Sequence, residues 1–131
     1  MRDLPLIAEW QRVTHHLLAA LDEELADLEL SAAETNLLAC FAGRPARAVR
    51  QLVAATGQRP STLTGVLDRL ERRGFVARAA HPDDRRSVLV QLTGDGERAA
   101  ERVAAAFGRL EARLPGEEIR RVLAAVAAAP H

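Results

Sequence analysis

The sequence contains no lysine and no tyrosine, and its 131 residues include one cysteine and one tryptophan. A single cysteine excludes an internal disulfide bond and any zinc site built from several cysteines. The chain has no run of about 18 apolar residues, which a transmembrane helix requires. Its N-terminus also lacks the apolar stretch of a signal peptide. These absences predict a small soluble domain in the cytoplasm that has no membrane partner.

Helix-forming residues and arginine are abundant instead. Alanine and leucine supply 26 and 19 residues, and both favour helices. The 18 basic residues are all arginine and are balanced by 18 acidic residues, but the charges are segregated along the chain. The formal charge is −6 over residues 1–43, +6 over residues 44–90 and zero over residues 91–131. Because a partner experiences the local field, the basic middle segment indicates an anionic partner, and nucleic acid is the usual one.

The N-terminal third of the chain is predicted to form two helices. Between Leu4 and Leu28, apolar residues recur mainly at spacings of three, four and seven, which is the pattern of a helix with one buried face. Ser31 and Glu34 then form a capping-box pattern, in which both side chains accept hydrogen bonds from free backbone N–H groups at the start of a helix. This second helix is expected to end at Gly43.

Two further helices are predicted in the basic segment. Pro45 suits the first turn of a short third helix, because a backbone N–H group would have no helical partner there, and Gly57 is expected to end it. Pro60 opens a fourth helix that runs to Arg73. Its apolar residues fall on one side, which predicts a buried face made of Leu63, Val66, Leu67 and Leu70.

The hydrophobic period then changes from that of a helix to that of a strand. Residues 75–78 and 88–92 are short β-prone runs, and residues 81–87 between them are polar. We therefore expect a β-hairpin whose loop is longer than a tight turn. Two C-terminal helices follow, over Thr93–Leu114, where the threonine can act as the cap, and over Glu117–Ala129.

Two short helices joined by a glycine turn and followed by a hairpin predict a winged helix-turn-helix, within one mainly α (α+β) domain over residues 1–131. In this arrangement the helix over residues 60–73 lies in the major groove of DNA. No acidic residue precedes Asp68, so the helix N-terminus is open to phosphate. An ordinary amphipathic helix with a solvated charged face is the alternative. The candidate DNA contacts of this region are Arg59, Pro60, Ser61, Thr62, Thr64, Gly65, Arg69 and Arg72.

The tip of the hairpin, residues 81–88, is the second candidate DNA contact. Asp84 and Arg86 are two residues apart, so on an extended chain their side chains would point the same way and pair, which would stiffen the turn. Arg85 and Arg86 also place positive charge at an exposed tip, where arginine can read the shape of a minor groove. A charged turn that serves only solubility is the alternative.

One long stretch of this region resembles a known family. Residues 61–96, STLTGVLDRLERRGFVARAAHPDDRRSVLVQLTGDG, resemble the signature region of MarR-type (multiple antibiotic resistance regulator) winged-helix transcription factors. The segment that begins at Asp84 and ends at Gly96 is similar to the family's wing, in which D-x-R precedes a strand and L-T-x-x-G. Arg69 matches the recognition helix, and Gly74 matches the turn into the wing.

The resemblance implies a homodimer that binds double-stranded DNA. Residues 1–30 and 93–131 would supply intertwined dimerisation helices, and residues 31–92 would form the DNA-binding lobe. The protein would be a sequence-specific transcriptional regulator, a repressor that a small phenolic or other anionic ligand releases from a pseudo-palindromic operator. Gly65 departs from the family, which often has arginine at this position, so one DNA contact of its relatives is missing.

The effector site is less well marked. Trp10 and His15 would line a ligand cavity, as first-helix residues do in some relatives, or Trp10 would instead anchor a core or a dimer interface. His15 and His16 point about 100° apart on a helix, so they do not suit one metal ion. Cys40 lies among apolar residues, which favours an unreactive thiol, and the family's oxidant sensors pair their cysteine with tyrosines that this chain lacks. We expect no metal and no cofactor.

Enzymatic functions find little support, since the sequence has no glycine-rich phosphate loop and no nucleophile elbow. The adjacent carboxylates Asp83 and Asp84 lie beside arginines in a turn, which suits structure better than acid–base catalysis. Three hypotheses remain: a ligand-responsive dimeric regulator, a winged-helix module for protein contacts, and an architectural DNA binder without operator preference. The zero net charge disfavours the last, and we prefer the first.

Overall fold

The computed structural model describes residues 5–130, which form six α-helices, one 3₁₀ turn and a three-stranded antiparallel sheet. The predicted mainly α fold of the α+β type is confirmed. Along the sheet the strand order is β1-β3-β2. The helices are α1 (Leu6–Glu24), α2 (Ala32–Ala39), α3 (Val49–Thr56), α4 (Pro60–Arg72), α5 (Gly94–Glu111) and α6 (Gly116–Ala128), and the strands are β1 (Ala46–Ala48), β2 (Val76–His81) and β3 (Asp84–Leu92).

The first helix is shorter than its apolar pattern predicts. It ends at Glu24, and a separate 3₁₀ turn covers Ala26–Leu28, whereas the sequence predicts one helix from Leu4 to Leu28. Between the two, Leu25 leaves helical geometry with φ −111° and ψ 14°, and its side chain is buried in the core. Tertiary packing of Leu25 thus accompanies the break in a pattern that is otherwise helical. Leu4 lies outside the described residues.

The prediction that Pro45 begins a helix is wrong. The residues after it form β1, which pairs with β3, and α3 begins only at Val49. The Pro45 carbonyl itself accepts a hydrogen bond from the Leu92 N–H group at 2.8 Å. The backbone groups on this side of β3 need partners, and the segment after Pro45 supplies them. Local spacing does not reveal a strand whose partner lies more than 40 residues later in the chain.

Four helix boundaries that depend on local signals agree with the sequence, whereas α2 ends at Ala39 and not at the predicted Gly43. Ser31 Oγ accepts a hydrogen bond from the Glu34 N–H group at 3.1 Å, and Glu34 Oε1 accepts one from the Ser31 N–H group at 3.0 Å, so the capping box is confirmed. Gly57 ends α3 in the left-handed conformation, with φ 69°. Pro60 occupies the first turn of α4, and Thr93 caps α5. Each of these boundaries is decided by residues within about one turn of each other.

The predicted hairpin is present, but its strands extend into the predicted loop. β2 ends at His81 and β3 begins at Asp84, so two residues connect them. The regular register ends where Ala80 lies opposite Val88, and the next pair is His81 with Asp84. Residues 85–87 of β3 therefore bulge out at the tip. The hairpin thus has a tight connection and a bulge on one strand in place of a long loop.

Gly96 lies where the start of α5 meets the start of β2. Thr93 Oγ1 donates a hydrogen bond to the Gly74 carbonyl at 2.6 Å and accepts one from the Gly96 N–H group at 3.0 Å. The Thr93 N–H group donates to the Phe75 carbonyl at 3.0 Å. A Cβ atom built on Gly96 would lie 1.9 Å from the Phe75 carbonyl oxygen. The junction therefore accepts only glycine at this position unless the backbone moves.

The core lies between α2, α3, α4, α5 and the sheet, and the predicted inner face of α4 is part of it. No residue of α1 or α6, both of which are described in full, is buried. None of the helices within residues 5–130 is long and apolar enough to cross a membrane. The largest fully buried side chains are Phe41, Leu37, Leu38, Leu52, Leu63, Leu67, Leu70, Val66, Val90 and Val103.

Candidate nucleic-acid interface

The N-terminal turn of α4 is exposed and carries no negative charge. Arg59 is the N-cap residue and makes no side-chain capping bond, and the first turn contains no acidic residue. Arg59, Pro60, Ser61 and Thr62 are all exposed. The turn thus combines unpaired backbone donors with the partial positive charge of a helix N-terminus, which suits a phosphate group.

The outer face of α4 continues with Thr64, Gly65, Arg69 and Arg72. Thr64 is exposed, but its hydroxyl already donates a hydrogen bond to the Pro60 carbonyl at 2.9 Å, so it is left to accept one from a partner. Arg69 and Arg72 are both exposed. Arg69 folds back along the helix, and its Nη1 atom lies 3.8 Å from the position that a Cβ atom on Gly65 would take.

Arg78 of β2 binds both acidic residues of α4, and the sequence pattern does not identify it. Its Nη2 atom lies 2.6 Å from Asp68 Oδ1, and its Nε atom lies 2.8 Å from Glu71 Oε2. The hydrogen bond with Glu71, followed by that with Asp68, raises the pKa of the Arg78 guanidinium. Arg78 therefore engages both carboxylates of α4 and offsets one of their two negative charges. Arg69 and Arg72 then leave the outer face of the helix with a net positive charge. The signal available in the sequence is an arginine near the start of the strand that follows a helix with two acidic residues.

Asp84 forms hydrogen bonds inside the hairpin tip, although not with the side chain of Arg86. Its Oδ1 atom accepts a bond from the Arg86 backbone N–H group at 3.0 Å, and its Oδ2 atom accepts one from Ser87 Oγ at 3.1 Å. These bonds, the first above all, lower the pKa of Asp84. The predicted pairing with the Arg86 side chain is wrong because the bulge at residues 85–87 turns the backbone of Arg86 toward the carboxylate.

The hairpin is tied to both neighbouring helices. Asp84 Oδ2 lies 3.9 Å from Nη1 of Arg50, a residue of α3 that the sequence pattern also does not identify, and Arg78 connects β2 to α4. Arg85 and Arg86 are exposed at the bulge, and within residues 5–130 neither forms an ion pair. The structure thus joins the helix and the hairpin into one unit with arginines on both parts.

The two residues expected to line an effector cavity do not meet in one. His15 lies on a shallow groove of about 430 Å³ whose five lining residues all belong to α1, whereas Trp10 is outside it and is 39% exposed. Because all of its lining residues belong to one helix, this groove is not enclosed by a second element within residues 5–130. A smaller cavity of about 90 Å³ lies between α1, α2 and α5 and is lined by Leu18, Leu21, Asp22, Ala32, Thr35, Asn36 and Phe107.

Cys40 is half-buried rather than fully buried. Its thiol donates a hydrogen bond to the Asn36 carbonyl at 3.3 Å, and burial raises the pKa of the thiol. A raised pKa lowers the fraction of reactive thiolate, which agrees with an unreactive side chain. Among residues 5–130, no three side chains of the metal-binding types come together.

Comparison with known proteins identifies the family. A family model described as "MarR family" matches residues 30–88, which contain the three helices α2 to α4 and much of the hairpin. The chain is 39% identical over 94 residues to the HTH-type transcriptional regulator PecS of Dickeya dadantii. The chain belongs to the MarR family. The aligned part covers 70% of this MarR-family chain and 57% of PecS, and the chain spans about half the length of the curated relatives it matches first.

Solved MarR-family structures share the fold over nearly the whole chain. BpsR of Bordetella bronchiseptica, whose DNA binding is regulated by 6-hydroxynicotinic acid, matches with a TM-score of 0.77 and 26% identity over 99% of this chain and 98% of that one. CouR of Rhodococcus jostii, solved with p-coumaroyl-CoA, matches with a TM-score of 0.75 and 29% identity over 92% of this chain and 90% of that one. The winged-helix fold is thereby confirmed, and a family of transcriptional regulators agrees with the expectation that the chain is not an enzyme.

Proposed function

We propose that this MarR-family chain is a homodimeric, sequence-specific regulator of transcription that acts in the bacterial cytoplasm. The observation that carries the proposal is the pairing of an acid-free, exposed N-terminal turn on α4 with the two exposed arginines of the hairpin tip. In the proposed complex α4 lies in the major groove with Arg59, Ser61 and Thr62 closest to the bases and phosphates. The tip, residues 81–88, reaches the adjacent minor groove.

The dimer is proposed from the terminal helices. Large apolar side chains are exposed on both α1 and α6, where no residue is buried within the chain. Several large exposed apolar side chains on one helix are typical of an interaction site. We assign the region over residues 1–30 and 93–131 to dimerisation and residues 31–92 to DNA binding. Two α4 helices related by a two-fold axis would read half-sites about one turn of DNA apart, which implies a pseudo-palindromic operator and suits a repressor.

Arg86→Ala is expected to weaken binding to the operator roughly 5- to 100-fold, because an exposed arginine at a groove or phosphate carries that much affinity. Fluorescence anisotropy would measure the affinity of the full chain for DNA from upstream of its own gene, or for DNA chosen by random-sequence selection. Arg98→Ala is the matched control. Within residues 5–130 the Arg98 side chain pairs only with the exposed Asp95, so this variant removes the same charge and should bind like the wild type.

The same assay separates the alternatives. Equal affinity of the wild type for operator and unrelated duplexes would favour an architectural DNA binder. Absence of salt-dependent binding to every duplex, the random-sequence pool included, would favour a winged-helix module for protein contacts. Tight binding that Arg86→Ala leaves unchanged would reject the proposed role of the hairpin tip.

A small anionic aromatic effector is proposed for the groove along α1. The groove carries Arg12, His15 and His16, which can donate hydrogen bonds to a carboxylate or a phenol oxygen. A second protomer would supply the missing wall, with Trp10 at its edge. BpsR and CouR, which respectively respond to 6-hydroxynicotinic acid and hold p-coumaroyl-CoA, support this chemical class.

Titration of 6-hydroxynicotinate into the protein–operator complex is expected to release the DNA, and His15→Ala should raise the concentration needed by about tenfold. Anisotropy of labelled operator reports the release. Benzylamine, which has an aromatic ring but the opposite charge, is the control. Release by neither 6-hydroxynicotinate nor p-coumarate at millimolar concentration, or equal release by benzylamine, would contradict an anionic aromatic effector.

A further inference from the structure

Arg73, at the C-terminal end of α4, binds a segment more than 40 residues earlier in the chain. Its Nη1 atom donates a hydrogen bond to the Glu29 carbonyl at 2.7 Å, and its Nη2 atom donates one to the Leu28 carbonyl. The guanidinium also lies 5.1 Å from the centre of the Phe75 ring, so the ring supports it from one side. One side chain therefore connects the end of α4, the start of β2 and the connection between α1 and α2.

The segment that receives Arg73 is in an uncommon conformation. Leu28 ends the 3₁₀ turn, and Glu29 has φ 51°, the one positive φ outside glycine within residues 5–130. Carbonyls at the end of a helical turn lack a partner in the turn itself, and the two prongs of a guanidinium satisfy two of them at once. Arg73 thus binds Glu29, the residue in the left-handed conformation, at the point where the chain turns from α1 toward α2.

A buried carboxylate adds to the same contact. Glu34 of α2 is 5% exposed, and its Oε1 atom is used in the capping box with Ser31. Its Oε2 atom has no hydrogen-bond partner within residues 5–130 but lies 3.6 Å from Nη1 of Arg73. Because a buried carboxylate is costly without a neighbouring positive charge, Arg73 is held in this place by charge as well as by its two carbonyl bonds.

We propose that Arg73 is a positioning residue that sets the orientation of α4 relative to the N-terminal helix of the same chain. The inference rests on the proposed function, in which α4 reads DNA and α1 belongs to the dimer. Arg73 itself would not touch DNA, since its donors are directed at Leu28, Glu29 and Glu34. It would carry any change in the position of α1, such as one caused by an effector, to the end of the recognition helix.

Arg72 provides a matched comparison, since it is the neighbouring residue with the same charge and is exposed on the outer face of α4. A side chain that contacts a phosphate displaces a counterion from the DNA. Its loss therefore makes the fall of log affinity with log salt concentration less steep, by about one unit of slope. A positioning residue has no such effect on the slope. The salt dependence of operator binding therefore distinguishes the two roles.

For the full-length Arg73→Gln variant we expect operator affinity to fall roughly tenfold, with an unchanged dependence on salt. Arg72→Gln should instead make the salt dependence less steep by about one unit of slope. Arg73→Lys should fail to restore affinity, because a single ammonium group does not reproduce the two-pronged contact. Ser31→Ala, which removes the cap of α2, controls for a general loss of stability and should bind with near wild-type affinity once folded. Hydrogen exchange at residues 28–31 should accelerate in Arg73→Gln whether or not DNA is present.

Several results would overturn the proposal. If the salt dependence of operator binding becomes less steep in Arg73→Gln, Arg73 is a phosphate contact. Unchanged affinity in the folded variant, full rescue by lysine, or an equal loss in Ser31→Ala would each remove the positioning role. If the wild type selects no duplex, the proposed function fails together with this inference. If the wild type binds its operator and Arg73→Gln binds equally well, only the inference fails.

Discussion

Replacing Gly96 with alanine is expected to destabilise the protein by about 3 kcal/mol or more, because among the eight glycines an added methyl group meets the nearest atom at this one. The added Cβ atom would lie 1.9 Å from the Phe75 carbonyl oxygen, and a backbone oxygen at the start of β2 is unable to rotate away as a side chain does. Relief of the clash requires α5 to move away from β2. That movement would weaken the hydrogen bonds of Thr93 with Gly74 and Phe75.

Urea and thermal unfolding, followed by circular dichroism, would measure this loss, with a melting temperature lower by roughly 10 °C or more. Gly108→Ala is the control in the same helix. A Cβ atom on Gly108 would meet nothing within 4 Å, so alanine there should be neutral or stabilising by up to about 1 kcal/mol. A Gly96→Ala protein that melts within experimental error of the wild type would show that the junction is far more adaptable than its geometry indicates.

Two glutamates on the exposed apolar face of α6 are expected to make the protein monomeric and to reduce operator affinity at least about 100-fold, since a single winged helix keeps only half of the contacts. Val122, Leu123 and Val126 are 47%, 50% and 57% exposed, and they recur at the spacing of one helix face. The double substitution Leu123→Glu and Val126→Glu would place two charges in the proposed interface, where they lose their hydration.

Light scattering after size-exclusion chromatography would give the mass, and anisotropy would give the operator affinity. Ala124→Glu is the control, because position 124 lies on the opposite side of α6 by helical geometry and its charge should remain in water. The proposed dimer would be rejected by a wild-type protein that has the mass of one chain. It would also be rejected by a double variant that stays dimeric and keeps its affinity.

The residues that the sequence identifies correctly are those whose role depends on near neighbours. The capping box of Ser31 and Glu34 joins residues three apart, and the positive φ of Gly57 is a requirement of one turn. The buried stripe of α4 follows from the 3.6-residue period, and the α5 cap at Thr93 follows from one hydroxyl group. In each case the physical cause acts over a few residues, so the pattern of side chains is sufficient.

The errors and omissions concern partners that are distant in sequence. The strand after Pro45 exists because β3 passes beside it, and the break at Leu25 accompanies the burial of that side chain in a core built by other elements. The sequence predicts the correct partner residue for Asp84, Arg86, but not the correct group, because the bulge turns the backbone N–H group of Arg86 toward the carboxylate in place of its side chain. No spacing rule identifies these features.

By itself, the sequence determined a mainly helical domain with a basic central segment and the two glycine-ended helices before the hairpin. It also determined the motif through which the chain resembles the MarR family. Only the tertiary structure decided how the 18 arginines divide their roles. Arg78 pairs with both acidic residues of α4, Arg73 binds the segment that follows α1, and Arg85 and Arg86 remain exposed. An arginine has the same charge everywhere in the sequence, but its role depends on which acceptors the fold brings within about 3 Å of its guanidinium group.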